Sequence, residues 1–473
     1  MDLIRKIIAF SLIGLSFKVY ASVEKAEYYY KKSSSISSYP NVARELIDVG
    51  LYYAAIPFVK EYLIRSNISR NEKVDRIIDE LITQVGVKQF EVLPEDVLRK
   101  SSAPTIRYIL AKKIFRERKY REALKVISHS SLDDHALTPF ANMLRGSIYT
   151  IIGKYNTAIP YYKECIASTN QSLRKAKTES AKRQLKVNND LCVIGISRSQ
   201  FAAADFESAN LSYLDLPKES PIWPEILFEE AWNSFYLRDY NRTLGKLVTY
   251  NAPIFSYMFN PEIETLKALT YMELCLWNDS KKVVDDFYKK YGKISKSLET
   301  MLRQNKKNYK YYYLLAKNNK DRILSSKDNL LRLVKSVTRD PIYQELNASF
   351  AEGAKELKLL KRVRSSSFRS VLLQGLRQAL ILQRNLLGAY VRKGLDNYRR
   401  NIDKTFEGMS YIRLEVLSRR KEALYTPTES QSRGRGDIKF LKRNDKQYFW
   451  TFNGEFWADE LGDYVFALKS ECK

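Results

Sequence analysis

Histidine is almost missing from this chain: His129 and His135 are the only two among 473 residues. So little imidazole leaves small scope for acid–base chemistry near neutral pH and disfavours a structural zinc site. The four cysteines, Cys165, Cys192, Cys275 and Cys472, form no C-x-x-C, so neither a redox motif nor a zinc ribbon is written. Three disulfide pairings stay open. Cys165 and Cys275 sit on apolar helical stretches, where a buried free thiol is the ordinary outcome. No G-x-x-x-x-G-K-[ST], G-x-G-x-x-G, H-E-x-x-H or G-x-S-x-G occurs, and the chemistry those spacings support is not expected. The chain reads as non-catalytic, without cofactor or metal. Glycine is sparse, 17 residues against 33 Tyr and 45% hydrophobic residues, which excludes a collagen-like fibre and wholesale disorder.

Long apolar runs are also lacking. Arg5 and Lys6 precede IIAFSLIGLSF at 7–17, and Val19-Tyr20-Ala21 then places small residues where a signal peptidase cuts. The run is too short for a bilayer, which needs about 20 residues, so residues 1–21 read as a secretory signal peptide. Nothing later approaches 18 uncharged apolar residues. The expected location is the periplasm, or alternatively the outside of the cell. The net charge of +26 favours acidic partners: proteins, lipid headgroups or cell-wall polymers. An export signal argues against nucleic acid, and coding bias could also account for the charge.

What is present in quantity is repetition. GLYYAAIPFVKEY at 50–62 returns as GKYNTAIPYYKEC at 153–165. An aromatic followed three residues later by a small residue recurs at Tyr120/Ala123, Tyr155/Ala158, Phe206/Ala209, Tyr240/Thr243 and Trp277/Ser280. About twelve residues before each marker stands another small residue, Ala111, Gly146, Ser197, Ala231 or Ala268. Four residues after it comes a large one, Ile127, Tyr162, Tyr213, Leu247 or Val284. Small residues let two antiparallel helices approach where they cross, and large ones fill the gap to the next pair. With its period near 34 residues, the pattern resembles the tetratricopeptide repeat (TPR). A degenerate unit lies near 70–95. One step is stretched by the basic insertion TNQSLRKAKTESAKRQLKVNND at 169–190, expected to lengthen two helices and project as a spur. Pro57 and Pro160 read as first-turn prolines, which a helix tolerates.

The second half reads differently. Tyr309, Tyr312, Tyr313 and Ala316 share one helical stripe, better explained as core than as a ligand surface. No proline falls between Pro341 and Pro427, and apolar residues recur at three- and four-residue steps from Leu346 to Val391, specifying long amphipathic helices that bend near 365–368. Such a helical hairpin either caps the repeats or pairs with another chain, and Gly375, Gly388 and Gly394 weaken the coiled-coil case. TPTESQSRGRG at 426–436 reads as a linker. Asn453-Gly454 between aromatic runs predicts a β-hairpin with strands near 447–452 and 455–457, then a short element from Tyr464 to Leu468. Glu455, Asp459, Glu460 and Asp463 could form a metal or glycosidase pair, but the spacing of Asp459 and Asp463 reads better as a solvated or cation-pairing edge.

The tail WTFNGEFWADELGDYVFALKSEC is similar to the W-x-F-x-G-E-x-W-x-D-E-L-G-x-Y signature of periplasmic TPR proteins of deltaproteobacteria, the gliding-motility-associated type. That resemblance covers about 23 residues and implies an envelope scaffold with no catalytic residues. The expected organisation is therefore a signal peptide (1–21), an all-α TPR-like superhelical solenoid (22–295), a long-helix region (296–425), the linker, and an aromatic C-terminal hairpin segment (437–473). The expected function is a scaffold or adaptor joining proteins in a cell-envelope complex, with motility or outer-membrane assembly as settings. The alternative is a factor that binds or processes cell wall or another envelope polymer, with contact at the membrane surface or wall. Partner identity and oligomeric state are left open. Repeat phase points Arg107, Asn142, Arg145 and Lys267 towards the groove, and Trp450, Phe456 and Trp457 in the tail are further partner-binding candidates.

Overall fold

The computed structural model describes residues 21–32, 36–66, 71–128, 132–319, 329–364, 366–424, 438 and 446–472. Most of the signal segment, His129 and the linker at 426–436 lie outside the described residues. After a helical stretch over 21–32, the main helices in chain order are α1 (Tyr39–Ile47), α2 (Tyr52–Arg65), α3 (Glu72–Val85), α4 (Glu95–Leu98), α5 (Pro104–Arg116), α6 (Tyr120–Ile127), α7 (Thr138–Ile151), α8 (Tyr155–Lys175), α9 (Glu179–Ala202) and α10 (Phe206–Tyr213). They continue as α11 (Trp223–Tyr236), α12 (Tyr240–Val248), α13 (Glu262–Glu273), α14 (Trp277–Tyr291), α15 (Ile294–Gln304), α16 (Tyr309–Asn318), α17 (Asn329–Arg339), α18 (Pro341–Leu360) and α19 (Ser367–Leu424). Two short strands, β1 (Trp450–Thr451) and β2 (Tyr464–Val465), follow. The fold is all-α and built from TPR-like helix pairs.

Every aromatic marker opens a helix: Tyr52, Tyr120, Tyr155, Phe206, Tyr240 and Trp277 are first residues of α2, α6, α8, α10, α12 and α14. The small residues three further on, Ala55, Ala123, Ala158, Ala209, Thr243 and Ser280, are completely buried. So are their counterparts Ala111, Ser197, Ala231 and Ala268, and Ser280 donates from its hydroxyl to the Ala268 carbonyl at 3.0 Å. The turns share one geometry. Two residues before each marker the backbone is left-handed, at Gly50, Arg118, Gly153, Ala204, Arg238 and Cys275, although only two of these carry the residue that adopts it without strain. Asp205 and Asp239 cap the following helices, accepting from Ser208 and Arg242 N–H at 3.2 Å each. Where the degenerate unit was expected, α3 is followed by a single turn, α4, in place of a full second helix. Pro57 and Pro160 fall at the sixth position of α2 and α8, not in the first turn, because each helix starts at its aromatic. Each proline leaves the carbonyl four residues earlier without its helical donor.

The described elements form two compact units, one of residues 1–188 with 345–386 and the other of 189–344 with 387–473. This division does not follow the composition boundary at 295/296. In the first unit α18 and the early part of α19 form the expected helical hairpin, joined where Gln383 donates to the Leu346 carbonyl at 2.9 Å. The hairpin packs on the repeat helices. Phe368 meets Tyr30 and Phe58 at centroid distances of 5.1 and 6.3 Å, and buried Gln89 donates to the Ala379 carbonyl and to Gln383 while accepting from Lys60 Nζ. The Glu356 carboxyl accepts from the N–H groups of Tyr53 and Ala54 at 3.0 and 3.1 Å, satisfying donors that the start of α2 would otherwise leave unpaired. The insertion lengthens α8 and α9 as expected. It is no free spur, because Ser180, Arg183 and Gln184 all engage Glu345 at 2.7, 3.2 and 3.1 Å.

In the second unit the later part of α19 packs on the repeat helices, with Phe406 against Phe287 and Tyr288 at 4.9 and 5.5 Å and Tyr398 edge-on to Phe259 at 5.2 Å. In α16, Tyr312 and Ala316 are buried and Tyr309 and Tyr313 half-buried, the packed stripe expected. The aromatic tail is not a β-hairpin. β1 and β2 pair in parallel, Trp450 with Tyr464 and Thr451 with Val465. A type I′ turn needs positive φ at both centres, and only Gly454 has it; the Asn453 side chain instead accepts the Glu455 N–H at 3.1 Å. The chain then runs along α12, where Asn241 accepts from Leu468 N–H at 2.9 Å and donates to its carbonyl at 3.1 Å.

The free-thiol expectation fails for both Cys165 and Cys275. None of the four cysteines is free, and Cys275 is bonded to Cys472. The left-handed turn after α13 aims Cys275 at the arriving chain end, where Glu471 N–H also donates to the Leu274 carbonyl at 2.9 Å. The bond closes a loop of 197 residues. Cys472→Ser is expected to cost the second unit about 2 kcal/mol, leaving the Asn241 contacts in place. Chemical denaturation of the variant checks this; an unchanged midpoint would mean that the bond restrains nothing.

Candidate functional site

The second unit holds a cleft of about 440 Å³ between the chain following α10 and the C-terminal segment. Its floor is built by one repeat. Glu230 of α11 and Lys246 of α12 face each other across the pair, both buried, with Lys246 Nζ donating to Glu230 Oε2 at 2.5 Å. One wall is the chain leading into β1, whose alternate residues Lys446, Tyr448 and Trp450 line the cleft while the intervening Phe449 lies over the Arg242 guanidinium at 4.7 Å. The opposite wall is formed by Tyr213, Leu214, Leu216 and Lys218.

Two exposed ion pairs join the walls. Lys446 meets Asp215 at 2.5 Å, and Lys218 donates to Asp463 at 2.6 Å and to the Asp459 carbonyl at 3.1 Å. Exposed pairs of this kind hold with about 1 kcal/mol or less and can open for a ligand. The rings do not retreat: Tyr448 is 69% and Trp450 43% exposed. Tyr213 donates to Glu229 at 3.4 Å, and burial followed by the Glu229 charge holds its hydroxyl well above the usual tyrosine range.

The wall stays in place because the tail is locked to α12. A Cβ on Gly245 would lie 1.6 Å from the Tyr464 carbonyl oxygen, so strand and helix backbones touch. Gly462 N–H donates to the Thr249 hydroxyl at 3.2 Å. Phe452, Phe456, Tyr464 and Phe466 form an aromatic cluster with centroids 5.2 to 6.0 Å apart.

The structure separates the sequence candidates. Trp450 lines the cleft; Phe456 is half-buried in the aromatic cluster, and Trp457 is exposed outside the lining. Asn142 and Arg145 are buried side chains, not groove surface: Arg145 is 7% exposed and spends its donors on Asn142, at 2.8 Å, and on the Ile127 carbonyl, also at 2.8 Å. Repeat phase placed them on α7 but could not tell an inward from an outward polar residue. Arg107 is half-buried and donates to the Ser102 carbonyl at 3.2 Å, and Lys267 is half-buried on α13. The cleft residues that sequence reasoning missed are Lys218, Glu230, Lys246, Lys446 and Tyr448; Tyr213 was read only as a large packing residue. Of the Asp459 and Asp463 edge, the Asp463 carboxylate pairs with Lys218, which meets Asp459 only at its backbone carbonyl. Among the described residues no three His, Cys, Asp or Glu side chains gather as a metal site would require.

A second surface feature lies on the last turns of α19. Ile412 and Val416 are buried, while Tyr411, Leu414 and Leu417 on the opposite edge are exposed, the first two by 68% and 66%. Among the described residues no helix is long and apolar enough to cross a membrane.

No known protein family matches the chain, and no curated protein is significantly similar to it. Among solved structures, a chain from "Crystal structure of APC/C hetero-tetramer Cut9-Hcn1" aligns over 82% of this chain and 97% of its own, at 10% identity and a TM-score of 0.22. Superposition that loose carries no weight for function.

Proposed function

We propose that the protein is an exported, non-catalytic helix-repeat scaffold that binds protein partners in a cell-envelope complex, in the periplasm and in a motility or outer-membrane assembly setting. The observation that carries this reading is the row of Tyr411, Leu414 and Leu417, large apolar side chains in the open on a helix whose other face is already packed. Clustered exposed apolar groups beside basic residues such as Arg413 and Arg419 suit a protein contact. The net charge of +26 would steer acidic partners. Oxidised cysteines agree with an exported chain.

Affinity capture from crosslinked cell envelopes tests this. The wild type should recover a reproducible set of proteins, and the Tyr411→Arg/Leu414→Arg double variant should lose at least one of them while keeping the wild-type melting temperature. Recovery of nothing specific, or an identical set with the variant, would count against the reading. The alternative, a factor for envelope polymers, is favoured by the aromatic cleft alone.

A further inference from the structure

We propose that the cleft of the second unit is a saccharide subsite, taking a short stretch of a neutral, hydroxyl-rich glycan between the β1 strand and the chain after α10. The site lies apart from the apolar row on α19 and does not depend on the scaffold reading.

The charge balance selects the ligand class. Every lysine lining the cleft is matched by a carboxylate: Lys246 is buried against Glu230, while Lys218 pairs with Asp463 and Lys446 with Asp215. The lining is therefore rich in charge but neutral in sum. An acidic peptide would have to displace a carboxylate from its lysine, and a basic one a lysine from its carboxylate. A purely apolar segment would strip water from the exposed pairs of Lys218 and Lys446 without replacing its hydrogen bonds. A sugar hydroxyl both donates and accepts, so it can sit between a lysine and a carboxylate and satisfy both.

The rings supply the second half of a sugar site. Tyr448 and Trp450 stand two residues apart on the chain entering β1, about 7 Å if that chain is extended, the scale of neighbouring sugar units. Both rings line the cleft and are exposed, and an electron-rich aromatic face attracts the positively polarised C–H groups on the flat side of a pyranose ring. The volume of about 440 Å³ falls in the range of small-ligand sites, about 300–1,000 Å³. The floor is rigid, since Glu230 and Lys246 fix each other and Trp223 packs against Gly462.

The test is titration calorimetry of the mature full-length chain with cellohexaose, chitohexaose and maltohexaose, and with an acidic dodecapeptide as the competing class. At least one hexasaccharide should bind saturably, and its affinity should change less than about twofold between low and high salt, because no ligand charge is screened. Trp450→Ala and, separately, Tyr448→Ala should weaken binding about tenfold or more. Both side chains are exposed, so the variants should melt with the wild type; if one does not, the other decides. Ile254→Ala, exposed elsewhere in the unit, should bind as the wild type does. The proposal is overturned if no hexasaccharide saturates, if both ring variants bind normally, or if only the acidic peptide binds and salt abolishes it.

Discussion

Gly245→Ala is expected to destabilise the second unit by roughly 3 kcal/mol, although the same change in an exposed helix would be stabilising by about 1 kcal/mol. The reversed sign comes from contact. An alanine Cβ would sit 1.6 Å from the Tyr464 carbonyl oxygen and 2.9 Å from Val465 Cα, both backbone atoms of a strand that cannot yield alone. That strand is fixed by Asn241 to Leu468, by Thr249 to Gly462 and by the Cys275–Cys472 bond. Relief therefore means lifting the whole segment, which carries Tyr448 and Trp450 away from the cleft. Hydrogen exchange over residues 446–472 should rise sharply in the variant, with a lower denaturation midpoint. An unchanged or higher midpoint would mean that the tail does not lie on α12.

The second large effect belongs to the first unit. Burial pushes the Glu356 carboxyl up to about 8, against the pull of the N–H groups of Tyr53 and Ala54. A carboxyl raised in this way holds its proton in the folded chain at pH values where the unfolded chain has released it. Its contribution is complete below the ordinary carboxyl range and is lost as pH climbs towards 8, with a slope of up to about 1.4 kcal/mol per pH unit. Stability of this unit should therefore fall between about pH 5 and pH 8. Above pH 8 the trend should reverse, because burial pushes Lys60 and Lys88 down to about 8 and the unfolded chain then binds more protons. Glu356→Gln should flatten the fall, and Glu356→Ala, which leaves two buried N–H groups without an acceptor, should cost about 3 kcal/mol. Denaturant titrations at several pH values measure both; a wild-type curve flat from pH 5 to 8 would contradict the assignment.

Much of the fold was legible because its signals are periodic. Tyr120, Tyr155, Phe206, Tyr240 and Trp277 could be recognised as markers of the turn between paired helices, since a small residue three further on and a large one four beyond that recur with them, although the second helix opens at the aromatic itself and not at the small residue. The left-handed turn before each start was not legible, because only Gly50 and Gly153 advertise it and Arg118, Ala204, Arg238 and Cys275 adopt it under the constraint of the helix pair. Asn453-Gly454 misled for a related reason: the dipeptide permits a type I′ turn but does not compel one when the Phe452, Phe456 and Tyr464 rings gain more by packing together. The cleft was half visible. Trp450 stood out as an aromatic that would have to be placed, but Glu230 and Lys246 look like any helix-surface charges until α11 and α12 are set side by side. The disulfide joining Cys275 to Cys472 spans too much sequence for spacing to suggest it.

The scaffold reading is tested most directly by placing a photo-crosslinking amino acid at position 414 of the full-length chain in the living cell, with position 254 as the control site. Discrete adducts with one or a few defined proteins at position 414, absent at position 254, are the predicted result. No adduct at 414, or the same diffuse pattern at both positions, would contradict it.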